Sequence, residues 1–403
     1  MIRPVADADI IVIGAGPVGM LAALLSAQQG LSVLLFEQSA ERPVQSRAIG
    51  ITPPSLEILS SLGLAGTFIE QGVAVRESEV YSRSIRLGGL KFSRLQSDFP
   101  FVLSIPQDRT EALLEEAVRA HTAVNFLRGH QVLNCSEDKN HVIVSGNCTA
   151  AGMFHYTGQY VLACDGGKST ARESLGIPFE GAPDRYTFLM GDYEDTTGWG
   201  KTARFFLTAH GSVESFPLPD GKRRFVLRTP AYIKEYTTGF LKAEILWRAG
   251  IDVDAVAQFW ESGFGVQRYM ARTFCKGRVF LCGDAAHLMS PVGGQNMNLG
   301  FADAELAAWL SKVLLEKMAP NYRVCRLYDK VRKKAVNAAC RRSQLMMLAG
   351  TSGGRVWSAI RNLVSWSFLH SPFRRYLIEL FSMQSIPCRN LKNYRKRYER
   401  ELV

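Results

Sequence analysis

Gly14, Gly16 and Gly19 are spaced GxGxxG, and Glu37 follows 18 residues after the last of them. The first glycine permits a tight turn, the second lets backbone approach a pyrophosphate, and the third lets a helix pack closely on a strand. Glu37 stands where a carboxylate accepts the ribose hydroxyls of an adenine dinucleotide. Two further acid–glycine turns, Asp165-Gly166-Gly167 and Gly283-Asp284, add carboxylates of the same kind. The run Pro291-Val292-Gly293-Gly294-Gln295-Asn296-Met297-Asn298 adds amides that can face a ligand at a helix N-terminus. This is the chemistry of holding a phosphorylated dinucleotide. The sequence shows no Ser/His/Asp triad and no metal cluster beside it.

Such residues need strands that end at one edge. Ile10–Ile13 predicts a buried parallel strand, and Met20–Gln29 a helix whose free N–H groups point back at the phosphates. Gly30 stops that helix, and Ser32–Phe36 is the second strand, ending at Glu37. Tyr160–Ala163 and Val279–Cys282 read as strands that run into the other two acid–glycine turns. Asp165 reads as a turn residue or as something more specific, since ligands bind at the carboxyl ends of parallel strands. Pro53 and Pro54 exclude helix before them, and Ser55 caps Leu56–Leu62. Arg47 lies in the preceding loop.

Further along, Val80–Arg86 and Leu90–Phe92 form a hairpin turned at Gly88-Gly89. Asp108, with Glu111 three residues on, caps a helix over Arg109–Ala120. Asn125–Leu133 and Val142–Ser145 are strands. From Arg185 to Thr229 the helical period disappears. Tyr186–Met190, Ala203–Leu207, Ser212–Phe216 and Arg224–Leu227 predict an antiparallel sheet inserted as a second lobe. Helices are expected over Ile245–Trp260 and Leu299–Glu316, and residues 321–403 read as largely helical.

The 403 residues are 47% hydrophobic and 21% charged, the profile of an ordinary globular chain. No stretch reaches the roughly 18 uninterrupted apolar residues of a membrane span. The apolar N-terminus holds the phosphate loop and lacks a cleavage pattern, so the chain is expected to be uncleaved and cytoplasmic. Eight cysteines, with no CxxC pair, read as reduced and mostly buried thiols. Residues 321–403 carry 18 Lys/Arg against 4 Asp/Glu, whereas residues 1–320 carry 30 against 33. That imbalance concerns partners rather than fold. Nucleic acid is not expected, because no recognition motif accompanies the charge.

In the order GAGPVG, E, SRAIG, DGG, GDAAHLMSPVGGQNMN, the motifs resemble the single-component flavoprotein monooxygenases typified by para-hydroxybenzoate hydroxylase. The similarity covers residues 8–320, and SRAIGITPPSLEIL most resembles the aromatic-polyketide and phenol hydroxylase branches. The resemblance implies an α/β fold. A Rossmann-like FAD-binding domain (GR2-type) takes residues 1–180 and 271–320, with an antiparallel-sheet substrate domain at 181–270 and C-terminal helices at 321–403. It implies FAD as the held dinucleotide, NADPH or NADH as a transient reductant, and O2 adding at the flavin C4a to give a hydroperoxide that an aromatic or hydrophobic substrate attacks. The thioredoxin-like C-terminal domain of larger relatives is not expected.

Carried over residue by residue, Gly14, Gly16 and Gly19 cradle the pyrophosphate and Glu37 holds the ribose. Arg47 lies against the FAD phosphates near the path of NAD(P)H, Gln107 contacts the flavin side chain, and Asp165 is the acid of the DG motif. Asp284 holds a ribityl hydroxyl, and Pro291 lies beside the reacting edge of the isoalloxazine. The Gly293–Asn298 backbone, with Gly294, Asn296, Met297 and Asn298, binds its pyrimidine end. Asn296 departs from the family pattern, where glycine is usual. His287 matches a motif histidine and reads as a packed imidazole or a catalytic one. The substrate pocket is expected between flavin and inserted sheet, lined by Phe188, Met190, Phe205, Phe216 and Leu218, with Arg224 or Arg228 pairing with an acidic or phenolic group.

Val356–Phe381 packs two tryptophans and three phenylalanines, Pro372 divides it, and a basic tail follows over Arg389–Arg400. It reads as a lid over the pocket, as an interfacial segment on anionic lipid, or as a docking face for an acidic carrier protein. Other activities share the three motifs. A flavin halogenase is disfavoured by the lack of WxWxIP. A reductase or dehydrogenase acting on a lipid or isoprenoid chain, and an idle FAD-holding partner protein, remain open.

Overall fold

The computed structural model describes residues 6–42, 48–229, 239–290, 294–349, 354–387 and 390–402. From the N-terminus the chain forms β1 (Ala8–Ile13), α1 (Pro17–Gln28), β2 (Val33–Glu37), β3 (Gly50–Ile51), α2 (Pro53–Ser61), α3 (Ala65–Gln71) and β4 (Val73–Val75). A hairpin of β5 (Glu77–Ser82) and β6 (Ile85–Lys91) precedes β7 (Val102–Ser104), α4 (Gln107–Ala120) and β8 (Val124–Arg128). Then come β9 (His130–Glu137), β10 (Val142–Cys148), β11 (Gly152–Ala163) and the short α5 (Thr170–Ser174). The second lobe holds β12 (Phe179–Glu194), β13 (Ala203–Thr208), β14 (Gly211–Leu218), β15 (Lys222–Thr229), α6 (Phe240–Ala249) and β16 (Gln258–Ala271). The chain returns through β17 (Cys275–Lys276), β18 (Val279–Leu281), β19 (His287–Leu288) and α7 (Gln295–Leu315). It closes with α8 (Asn321–Ala349), α9 (Gly354–His370), α10 (Arg374–Phe381) and α11 (Arg395–Leu402).

The described strands build three sheets. In the first, β18, β11, β1, β2 and β8 lie side by side and parallel. Such strands are buried on both faces and therefore read as continuous apolar runs. Ile10, Ile11, Val12, Leu35, Phe36, Leu162 and Phe280 are all removed from solvent, packed with α1 and α7. The second sheet runs β19-β16-β12-β15-β14-β13-β5-β6. All its pairs are antiparallel except β13 with β5, so the 77–91 hairpin joins the inserted sheet rather than the first one. The third, β3-β7-β4, is small and lies between the two.

Several expectations change. The helix capped at Ser55 starts instead at Pro53, after an extended Thr52, because prolines lose nothing at positions whose amides are free anyway. The β5–β6 turn falls at Arg83-Ser84, with Arg83 at φ +51. Gly88 and Gly89 lie within β6, where a Cβ on Gly88 would come within 2.8 Å of Leu369 and one on Gly89 within 2.8 Å of the Ser78 carbonyl. That glycine pair serves close approach, not a turn. Asn125–Leu133 breaks at Gly129 into two strands, and Asp108 sits inside the first turn of α4 rather than capping it. The helix expected over Ile245–Trp260 ends at Gly250, φ +71, and Gln258 onward is β16, held extended by β12. Cys275 and Cys325 are joined by a disulfide, whereas Cys135, Cys148, Cys164, Cys282 and Cys340 are free thiols.

Candidate functional site

Gly14 ends β1 at φ +94, and a Cβ there would sit 2.5 Å from the carbonyl oxygen of Cys164. A Cβ on Gly19 would sit 1.8 Å from the Gly14 carbonyl. Neither position admits a side chain. Gly16 differs, because nothing lies within 4 Å of the place its Cβ would take. It caps α1 in an extended conformation with no side-chain hydrogen bond, so the first amides of α1 face open space. A helix N-terminus of that kind fits a pyrophosphate. Glu37 lies beside this loop, its Oε2 accepting from the Ala15 amide at 2.9 Å and its Oε1 from Ser39 at 2.9 Å.

Asp165 leaves β11 pressed against Gly14. Its Oδ2 accepts from the Ala171 amide at 3.1 Å, while its buried Oδ1 has no hydrogen-bond partner among the described residues. Burial raises this carboxyl above the ordinary aspartate range, against the pull of Ser169 and the Ala171 amide. Arg172 then ties the DG turn to the GD turn, donating to the carbonyls of Gly167 at 2.8 Å and Ala285 at 3.0 Å. Its guanidinium lies 3.8 Å from the Phe179 ring centre. The sequence reading missed this residue, since an arginine in a short helix reads as surface.

Asp284 is exposed on the turn after β18. Asn296 donates to its Oδ1 at 2.6 Å and presents its own Oδ1 to Nδ1 of His287 at 3.0 Å. His287 Nε2 meets Asp303 Oδ2 at 2.8 Å. Asp303 also accepts from the Gly283 amide at 2.9 Å and from Arg332 Nε at 2.5 Å. His287 and Asp303 have no exposure, so the imidazole is a packed link and not a group that reaches ligand. Burial works against ionisation of Asp303, but Arg332, His287 and the Gly283 amide outweigh it and hold the carboxyl below its usual range. Asp303 and Arg332 were not singled out from the sequence. An acid in the apolar run Phe301–Ala308 was the available signal.

Helix α7 starts at Gln295, not Leu299, so Asn296, Met297 and Asn298 lie in its first turn with amides unclaimed by the helix. Gly294 caps it at φ +62 in open space. The Asn298 side chain joins this start to β3, accepting from Thr52 N at 2.9 Å and donating to Gly50 O at 2.9 Å. Met297 is half-buried against the main core. Gln107 accepts from the Ala48 amide at 3.1 Å and donates to Glu111 at 2.9 Å. Arg47 and Pro291 lie outside the described residues.

The register of the second sheet sorts the expected pocket residues. Phe188, Met190, Phe205, Phe216, Leu218, Arg224 and Arg228 fall on one face. Leu189, Tyr193, Phe206, Val213, Phe225 and Leu227 fall on the other, packed on Leu241 and Ile245 of α6. The first face turns toward the small sheet, with β14 against β4 and β7, and α10 covers its Phe205 end through Phe381. Phe188 stacks on Phe264 and Phe216 meets Phe205 edge-on. Arg224 is committed elsewhere: Asp192 binds it at 2.5 and 2.7 Å, with Trp260 beneath it. Its charge is thereby met within the sheet.

The sequence pattern of the family described as "FAD binding domain" matches residues 7–343. Rifampicin monooxygenase of Streptomyces venezuelae is 30% identical over 389 residues, which cover 94% of this chain and 79% of that enzyme. Anhydrotetracycline monooxygenase of Streptomyces rimosus is 30% identical over 331 residues, 77% of this chain and 64% of that enzyme. Among solved structures, p-nitrophenol 4-monooxygenase from Pseudomonas putida shares the fold, with TM-score 0.84 at 20% identity over 93% of this chain and 98% of that one. Anhydrotetracycline hydroxylase from Streptomyces rimosus aligns with TM-score 0.78 at 27% identity over 94% and 76%.

Two outcomes are expected. Glu37→Ala and Asp284→Ala each yield largely flavin-free protein by visible absorbance; a double variant that purifies fully yellow sinks the assignment of both. Asp303→Asn leaves the buried Arg332 without its counter-charge and costs about 3–5 kcal/mol in urea unfolding. In the parent, the contribution of a lowered aspartate is complete above about pH 4 and is lost as pH falls through its native pKa.

Proposed function

The chain belongs to the FAD binding domain family of oxidoreductases, and from that premise we propose that it hydroxylates an aromatic or polyketide-like substrate with O2 and NAD(P)H. The observation that carries the reading is the meeting of two surfaces. One is the open α1 N-terminus with Glu37 and Asp284 at the carboxyl edge of a parallel sheet. The other is the aromatic face of the second sheet, whose β14 packs against β4 and β7.

When bound, FAD supplies electron transfer from NAD(P)H and activation of dioxygen. The protein's part is to bind, orient and exclude water. Amides of α1 hold the pyrophosphate, Glu37 the ribose and Asp284 the ribityl chain, while the first turn of α7 offers N–H groups to the flavin ring. Arg47 and Pro291 belong in this proposal on the strength of their motifs alone. Phe188, Met190 and Phe216 give substrate a dry, flat wall, which keeps the activated oxygen from being lost to water. The relatives named for rifampicin and anhydrotetracycline act on large fused or aromatic molecules, which supports a polyketide-like substrate here.

A second reading concerns where the protein works. Val356, Trp357, Ile360, Leu363 and Trp366 are exposed on α9, Val356 at 76%, and Phe373 is exposed at the cap of α10. The opposite side of α9 is already anchored, by Leu369 against Leu87 and Leu90 and by Arg361 on the Thr208 carbonyl. An outward apolar and aromatic face within a basic segment suits contact with an anionic lipid surface. Among the described residues no helix is long and apolar enough to cross a membrane.

The first test is an absorbance spectrum of purified protein, titrated anaerobically with NADPH and then given air. Flavin reduction that accelerates with an aromatic ligand, followed by a product heavier by one oxygen, is expected. Reduction with no oxygenated product in a phenolic library favours a reductase instead. For the lipid reading, co-sedimentation with vesicles rich in phosphatidylserine is expected, falling with salt and with Trp357→Ser/Trp366→Ser. Equal recovery with neutral vesicles overturns it.

A further inference from the structure

One carboxylate on the substrate face has no use in the site as described so far. Glu214 lies at the middle of β14, on the same face as Phe205, Phe216 and Arg228. Its direct cross-strand neighbours are Phe205 on β13 and Val226 on β15, both apolar. Among the described residues it makes no hydrogen bond and no ion pair, and Arg228 is the charge that acts on it. Its side chain is half-buried. An acid placed among aromatics without a partner is costly to the fold, and such groups mark places where a ligand supplies the missing contact.

We propose that Glu214 is the base of the substrate cleft and takes the proton from a phenolic or enolic hydroxyl of the bound substrate. The inference rests on the monooxygenase reading above and adds to it the class of substrate, one with an acidic O–H. In the step, the substrate O–H bond breaks and its proton passes to a carboxylate oxygen of Glu214. The electron pair stays on the substrate oxygen and spreads onto the carbons ortho and para to it, which become nucleophilic toward oxygen. The proton is handed back to the same oxygen once the ring has reacted.

The electrostatics agree with that role. Burial raises the Glu214 carboxyl to about 7, with Arg228 opposing the rise. That lies between an ordinary glutamate near 4.3 and a phenol near 10, so the base is both available and strong enough close to neutral pH. Of the surrounding elements, β13 brings only Ala203, Phe205 and Leu207 to this face, and β4 and β7 bring no charged residue. From β15 come Arg224, bound by Asp192, Arg228, over the ring of Tyr186, and Lys222, over Phe259. Arg228 is placed to stabilise the anion that the proton transfer creates.

The test uses FAD-loaded protein and two probes of nearly equal shape, 4-methylphenol, which keeps its proton near pH 8 as an ordinary phenol does, and 4-methylanisole, which has no proton to give. Dissociation constants come from the perturbation of flavin absorbance. The expected result is a preference of about tenfold or more for the phenol near pH 8, the scale of a hydrogen bond to a charged group. Phenol-stimulated NADPH oxidation should rise with pH through about 7. In Glu214→Gln the preference shrinks to about twofold or less and the pH rise disappears; Glu214→Asp recovers part of both. A Gln variant that keeps the preference and the pH rise overturns the proposal, as does a parent protein that does not discriminate the two probes. FAD content of the variants reports the fold. If NADPH fails to reduce the parent flavin, it is the monooxygenase reading that falls, separately from Glu214.

Discussion

Asp303 is the fixed point between the GD turn and α7. Its carboxylate is fully buried on α7, and it stays charged there only because Arg332 from α8, His287 from β19 and the Gly283 amide converge on it. A buried ion pair is seldom a net gain in stability over an apolar substitute. What it secures here is geometry. Through His287 and Asn296 the same carboxylate sets the direction of Asp284, the exposed acid of the GD turn. The first turn of α7 is held from its other side by Asn298, bonded to Thr52 and Gly50. The α8 helix thus reaches the GD turn through Arg332 and Asp303.

The second surface is organised by a different economy. A sheet with one face on α6 has the other to spare, and the alternation of side chains gathers Phe188, Met190, Phe205 and Phe216 there. Arg224 and Asp192 neutralise each other within that face, which leaves it largely apolar without leaving it uncharged. Asn296 puts a side chain between Asp284 and His287 and joins the two by hydrogen bonds.

The parts legible in the sequence were those whose chemistry demands a residue type at a local spacing. The places of Gly14 and Gly19 were readable because a tight turn and a close helix exclude a side chain within one βαβ unit, and Gly16 and Glu37 followed from the spacing. Asp165 and Asp284 were readable from the strands before them. The role of His287 stayed open in the sequence, since only burial and the contact with Asp303 distinguish a link from a reactant. Arg172, Asp303 and Arg332 were not legible: their partners lie up to 113 residues away. Gln258–Trp260, the start of β16, was misread for a similar reason. Its extended state is imposed by β12 along nearly its whole length, which no window of local sequence reveals.

The parallel pairing of β5 with β13 bears on how the chain is made. Ser78–Tyr81 bonds to Ala203–Phe206, so the early hairpin cannot complete its sheet until more than a hundred further residues have left the ribosome. The first sheet has the same habit, with β1 waiting for β11 and β11 for β18. Neither lobe can therefore be finished before the other is begun, and biosynthesis delivers both halves of the cleft almost together. Long-range pairing of this kind slows folding and leaves strand edges exposed in the meantime.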